Sequence, residues 1–275
     1  LKLLIIFGWI AILILLTILT QIGGIILLLS LLIYRFTFRR FSGRLNPFIL
    51  QTVLFILLYL SASFLLLPPV ANTLGRKALP LFSHPSLKPL HIITCILNRH
   101  YVSHGLYLTA LKVSENMADK YPGTITAYLD GNFPFVNGFP LLPHLSHDDG
   151  HKLDLAFYYT DSNTGEPFQR TAPSWIGYGG YETPQRGEMD TPGDCIQRGY
   201  WQYGLLKYLS VAEKQMDLDI NRTRDMIRFF AREPQVGKIF LEPYLQQRMN
   251  LNHPKIRFHG CHAVRHDDHL HVQVK

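Results

Sequence analysis

The stretch Pro143-PHLSHDDGHKLDLAFYY-Tyr159 sets three histidines and three aspartates within eleven residues, then turns into an apolar alternation. In a β-strand successive side chains point to opposite faces. "KLDLAFYY" therefore puts Asp154, Ala156 and Tyr158 opposite Leu153, Leu155 and Phe157. A carboxylate on such a half-buried strand is costly unless it meets a cation. His147, seven residues earlier on a turn through Gly150, can fold back over the strand end to provide one ligand beside Asp154. The chain ends on a matching element, His266-HDDHLHVQV-Val274. Read as a strand, it projects His269, His271 and Gln273 from one face, with Leu270, Val272 and Val274 directed to a core.

His147, Asp154 and His271 then form a three-ligand nitrogen and oxygen set, for which zinc is the natural occupant. Catalytic zinc sites use three protein ligands and leave the fourth position to water, and no cysteine closes this one. A lone histidine in such a position is usually a polar surface residue. Here H-x-H on one strand and H-x(6)-D running into another argue together for a site.

Between and after these elements, helices and strands mix without a βαβ rhythm, which predicts an α+β domain with a mainly antiparallel sheet and flanking helices. Helices are expected at Leu111–Lys120, Tyr203–Ala212, Asn221–Ala231 and from Gly237–Glu242's strand on to about Met249; "TITAYL" (Thr124–Leu129) reads as a strand. The Gly-, Pro- and Tyr-rich segment 177–193 reads as a long loop.

The first quarter of the chain is of another kind. Residues 3–34 carry no charge, and a second apolar run covers Phe48–Leu67. Each is long enough for a ~30 Å hydrocarbon core. The first is too long for a signal peptide's 7–15-residue apolar region, and no small-residue cleavage pattern follows it. It reads as a membrane segment over 1–34, either one long tilted span or a hairpin turning at Gln21-Ile22-Gly23-Gly24. A basic loop (35–47), a span (48–67) and a Pro-rich linker (68–90) come next. Arg35, Arg39, Arg40 and Arg44 lie between the runs, against Arg76 and Lys77 beyond them. The positive-inside rule therefore places the loop in the cytoplasm and the domain 91–275 outside. The chain opens on Leu1 rather than Met, which allows for a preceding segment.

A net charge of +7 and a pI near 9.3 suit an anionic neighbour, either cell wall or lipid headgroups. No basic stripe interleaved with aromatic residues points to nucleic acid. Cys95, Cys195 and Cys261 all fall outside the membrane, so one disulfide and one thiol are expected, with the pairing open.

"SHDDGHKLD" matches the S-H-x-x-G-x-x-x-D element, and "HDDHLHV" the H-D-D-H-F-H-V element, of the penicillin-insensitive murein endopeptidases, which this chain resembles over about residues 92–274. These are zinc peptidases related to D-Ala-D-Ala dipeptidases and hedgehog-like domains. The resemblance implies zinc on His147, Asp154 and His271, a second metal ion through His144, and active-site histidines at His266 and His269. It implies cleavage of peptidoglycan peptide cross-links; family members are usually exported soluble proteins, and it is the apolar runs that anchor this chain in membrane lipid, at a bacterial inner membrane with the catalytic domain outside. His269 is expected as the base or as an oxyanion donor, and His266 as a substrate contact. Asp267 and Asp268 are read as partners orienting the imidazoles, or as plain turn formers. Two rivals stand beside this. One is a D-Ala-D-Ala dipeptidase or carboxypeptidase, whose base is a Glu three before the last ligand, where this chain has Asp268. The other is a zinc domain that binds cell-wall peptide without cleaving it. Asp148 and Asp149 depart from the family's neutral or basic pair and predict extra negative charge beside the metal. Tyr178, Tyr181, Trp201 and Tyr203 read as groove-lining or as packing residues; His91, His100, His104, His259 and His262 have no metal spacing, and His151 reads as solvent-facing.

Overall fold

The computed structural model describes residues 2–38, 46–202, 204, 208 and 215–275. Arg39, Arg40, Arg44 and most of the helix expected at Tyr203–Ala212 lie outside these residues.

The chain begins as α1 (Lys2–Thr20) and α2 (Gly23–Ile33), the latter prolonged by π-helical turns through Phe38. The apolar run is thus a hairpin. Gln21 takes a left-handed φ of 67°, and two glycines let α2 fold back onto α1. A Cβ on Gly24 would sit 2.1 Å from Thr17 Oγ1 and 2.8 Å from the Leu13 carbonyl, so only glycine permits that approach. After Asn46, whose side chain accepts from the Phe48 N–H at 2.9 Å, α3 (Pro47–Ser61) runs through a π turn into α4 (Leu67–Thr73). Residues 3–20 and 47–73 are long and apolar enough to cross a membrane by length and composition.

The hairpin tip is docked on the α+β part of the chain. Asn98 Nδ2 donates to the Thr20 carbonyl (3.3 Å), the Phe135 N–H to Gln21 Oε1 (3.0 Å), and Tyr59 Oη to the Ile96 carbonyl (2.6 Å). Ile22, Tyr59, Ala71 and Tyr101 bury together at this junction. At 1.5 Å per residue the Leu3 end of α1 lies roughly 25 Å from the tip.

The segment 68–90 is not a free linker. Pro68 and Pro69 lie in the helix that runs on from α3, directly after its π turn. Beyond it β1 (Arg76–Ala78) and β2 (Leu87–Pro89) enter sheets. The chain continues through α5 (Ile92–Ile96), β3 (Tyr101–Ser103), α6 (His104–Lys120), β4 (Thr126–Tyr128), β5 (Lys152–Ala156), β6 (Tyr159–Asp161), α7 (Thr191–Gln197), β7 (Met216–Leu218), α8 (Ile220–Arg232), β8 (Val236–Phe240), α9 (Pro243–Arg248), β9 (Ile256–Arg257) and β10 (His269–Val274).

This is an α+β domain around a six-stranded sheet of order β2-β4-β5-β10-β8-β9. The sheet is mixed: its three central ladders are antiparallel, while the edge pairs β2–β4 and β8–β9 run parallel. Each parallel pair is joined by a crossover that contains a helix, as parallel neighbours require. "KLDLAFYY" does not stay in one strand either. The Tyr158 N–H donates to Thr223 Oγ1, its carbonyl accepts from Asp219, and the chain leaves the sheet to pair β6 with β7.

One face of the sheet carries the core. Leu153, Leu155, Leu270, Val272 and Ile239 pack against Leu106, Val113 and Met117 of α6 and Met226, Ile227 and Phe230 of α8. The opposite face, with Asp154, His269 and His271, is covered by loops instead of helices, and that leaves room for chemistry.

Candidate metal centre

Antiparallel register sets His271 directly opposite Asp154 on neighbouring central strands. His147 reaches them from the loop before β5. Gly150, at φ 86°, turns that loop, donating its N–H to Asn132 Oδ1 (2.9 Å) while its carbonyl accepts from Ser103 (2.7 Å). The Gly131 carbonyl can only accept, so its 2.7 Å contact fixes the His147 proton on Nδ1 and leaves the Nε2 lone pair facing inward. That Nε2 lies 3.1 Å from His271 Nδ1 and 3.3 Å from Asp154 Oδ1, and His271 Nδ1 lies 2.9 Å from the same oxygen. Three donor atoms therefore converge on one point in a buried triangle.

The other carboxylate oxygen serves a second, overlapping group. Asp154 Oδ2 is 3.0 Å from His144 Nδ1 and 3.8 Å from His269 Nε2. Neither ring nitrogen of the buried His144 has an aligned hydrogen bond among the described residues. Both triads, His147–Asp154–His271 and His144–Asp154–His269, could hold a metal ion. Burial alone would raise the Asp154 carboxyl, but His147, His269 and His144 hold it well below the usual carboxylate range. Burial lowers His271 to about 4 despite Asp154, leaving the neutral imidazole that coordination needs. For His147 burial is outweighed by Asp154, and the net shift is upward.

The acidic pair after His147 does not charge this centre. Asp149 binds Lys152 Nζ at 2.6 Å and Asp148 lies 3.5 Å from it, both carboxylates over a third exposed. The Arg76 guanidinium bonds the carbonyls of Phe133 and Asp148 and the Asn137 side chain.

The two aspartates of "HDDH" have separate tasks. Asp268 Oδ1 accepts from His269 Nδ1 at 2.5 Å. Asp267 turns away, taking the Tyr244 hydroxyl (2.6 Å) and Arg265 (2.5 Å). Burial would lower His269, but Asp154 and Asp268 lift it to about 9. His266 sits beside it, ring centroids 5.1 Å apart, and burial with its histidine neighbours holds it well below 6.5.

Tyr178, which sequence reasoning leaves between groove and packing, belongs to the centre. Its hydroxyl donates to Asp154 Oδ2 (3.0 Å) and accepts from the Asp130 N–H (3.2 Å). The next residue, Gly179, gives its N–H to Asp268 Oδ2 (2.5 Å). One Gly-Tyr-Gly turn thus steadies both the shared ligand and the carboxylate behind His269. Its visible trace in the sequence is a tyrosine flanked by glycines. Partners behind ligands typically contribute 10–100-fold to metal affinity. Tyr178→Phe is expected to lower that affinity about tenfold without loss of fold, checked by titration against a chromophoric chelator.

Above the triads opens a cleft of about 170 Å³, lined also by Pro143, Leu145, His259 and His262. His259 and His262 reach it because Cys195 pairs with Cys261, tying their loop to α7, while Cys95 remains a buried thiol. Tyr181 stacks under Arg265 at 4.2 Å and does not line the cleft.

Glu242, beneath His266, accepts its N–H through Oε1 (3.3 Å), while Oε2 has no hydrogen-bond partner among the described residues. Burial and then Asp267 raise its carboxyl from 4.5 to about 7. Such a group is neutral in both states at low pH and costs stability as pH climbs from its unfolded pKa through its folded one. Glu242→Gln is therefore expected to stabilise the protein by roughly 3 kcal/mol at pH 8 and by nothing at pH 4, measured by denaturant unfolding.

All six histidine and aspartate positions expected at the site (His144, His147, Asp154, His266, His269 and His271) line this one cleft. Compared with known proteins, the chain matches no protein-family model and no curated protein.

Proposed function

We propose that this chain is a membrane-anchored zinc metallopeptidase that hydrolyses the peptide cross-links of bacterial peptidoglycan. The observation that carries the reading is the convergence of His147 Nε2, His271 Nδ1 and Asp154 Oδ1 at 2.9–3.3 Å beside an imidazole backed by a carboxylate. Donors bonded tetrahedrally to zinc at 2.0–2.1 Å stand about 3.3 Å apart, so the residues fit that ion. Two imidazoles and one carboxylate without cysteine make an open, catalytic type of donor set.

Zinc held there supplies a Lewis acid for the scissile carbonyl and acidifies water. The chain's own residues do the rest. Asp268 fixes His269 with Nδ1 protonated, so that Nε2 faces the reacting water, takes its proton and returns it to the leaving amine. A cation on Asp154 weakens that carboxylate's pull on His269 and favours its neutral, proton-accepting form. His266 stays neutral and offers an N–H to the developing oxyanion.

The substrate class and the placement outside a bacterial inner membrane rest on the two motifs and on the basic residues between the apolar helices. Against the dipeptidase rival stands Asp268, which is spent on His269 and Gly179 and is not free as a base. The test is digestion of purified muropeptide dimers by the full chain in detergent, with zinc content measured alongside. Conversion to monomers, lost in His271→Ala, is expected. Stoichiometric zinc with intact dimers would remove the endopeptidase reading and favour a dipeptidase or a binding domain.

A further inference from the structure

Between Gly131 and His147, the segment that delivers His144 and His147, there is no Asp, Glu, Lys or Arg. Its apolar side chains divide between two surroundings. Phe135 is tied to Gln21 at the hairpin tip, and Phe139 with Pro140 borders an open apolar groove of about 530 Å³ between α1 and α2, lined by Leu13, Ile14, Ile25 and Leu28. Thr17 in its wall already donates its hydroxyl to the Leu13 carbonyl at 2.8 Å, so that hydroxyl's one proton is not available to a ligand. Val136, Leu142 and Leu145 are instead 56, 49 and 57% exposed, and Leu145 also lines the metal cleft.

Adjacent exposed apolar residues mark a surface that meets another apolar phase. Here they sit beside helices of membrane-spanning composition, an arrangement that suits a cleft lip set at a bilayer surface. From Pro140, at the groove, to Pro143, at the cleft, is three residues, at most about 11 Å. The α1 wall of the groove, Leu13 to Ile18, runs only about 7.5 Å along the helix axis. That is under two turns, too short to seat a partner helix and well suited to a hydrocarbon chain.

We propose that the cleft acts on a substrate itself held in the bilayer: a peptide head group carried on a lipid. The lipid's hydrocarbon chain lies in the α1–α2 groove under Phe139–Pro140, and its head passes along Leu142 and Leu145 to the metal ligands. The chemistry at the head group rests on the metallopeptidase reading; capture of the chain does not.

The test uses the full chain in phosphatidylglycerol nanodiscs with a lipid bearing a diazirine in its acyl chain and a short peptide head group. The same diazirine on plain phosphatidylglycerol is the control. Labelling by the peptide-lipid is expected at Ile25, Leu28 and Phe139, at least fivefold above Ile10 or Leu57 and fivefold above the control. Ile25→Trp, with Leu28→Trp as a second plug, should abolish it while zinc content stays at one site's worth. Uniform labelling along the helices, or equal labelling by the control, overturns the proposal: the groove then holds ordinary bilayer lipid. Soluble muropeptide dimers digested by the same sample keep the two readings apart. Digestion without groove labelling sinks lipid capture and leaves the endopeptidase, whereas groove labelling without digestion supports lipid capture and sinks the endopeptidase.

Discussion

Asp154→Asn is expected to lower zinc affinity by roughly 10²–10⁴-fold, taking about 3–5 kcal/mol for removing one partner of a buried charge pair. Both candidate triads share this residue, and it supplies their one anionic ligand. Its Oδ1 meets His147 and His271, while Oδ2 meets His144 and Tyr178. Asparagine keeps the volume and one acceptor, so the β5–β10 ladder is expected to persist. Far-UV circular dichroism and an intact Cys195–Cys261 pair will check that. Competition against a chromophoric chelator gives the affinity. A variant that binds zinc as tightly as the parent would mean that the ion does not sit between these strands.

His269→Ala is expected to separate binding from chemistry. The zinc held by His147, Asp154 and His271 should stay bound, and turnover of muropeptide dimers should fall by about 10²–10⁴-fold, the usual contribution of a positioned proton-transfer group. Asp268→Asn should reproduce part of that loss, because Asp268 positions the ring and does not itself face the cleft. The metal-free protein offers a second readout. The folded pKa of His269, about 9, lies above its ordinary 6.5. The stability it contributes is then fully present below pH 6.5 and lost as pH rises through about 9. Thermal unfolding in chelator at pH 6, 8 and 9.5 should show that decline in the parent and a flatter profile in His269→Ala. Unchanged turnover in the variant would remove His269 from the mechanism and leave His266 as the proton carrier.

Much of this centre is legible along the chain because strand periodicity is local. Alternation in "HLHVQV" places His269 and His271 on one face whatever the rest of the chain does, and "KLDLAFYY" does the same for Asp154. Residues 3–34 allow a hairpin or a single tilted span. Choosing between them needs Gln21 in its left-handed conformation and the close fit of Gly24 against α1. The parallel edge ladders cannot be read along the chain, since an edge pairing depends on where a crossover returns. For the same reason 68–90 resembles a linker: β1 and β2 are three residues each and owe their strand character to partners. Tyr178 is ambiguous in sequence because it is adjacent to Asp154 only in space.

By itself the sequence determined which residue types would face each way on the two strands, and that a long apolar segment precedes them. Tertiary structure decided that His271 stands opposite Asp154, that Asp268 and not Asp267 backs His269, that Cys195 pairs with Cys261, and that an uncharged lip joins the cleft to the helices. The difference has one physical cause. Side-chain direction follows from backbone geometry between neighbours, whereas register, cross-links and the covering of a sheet face are set by the summed packing of segments distant in the chain.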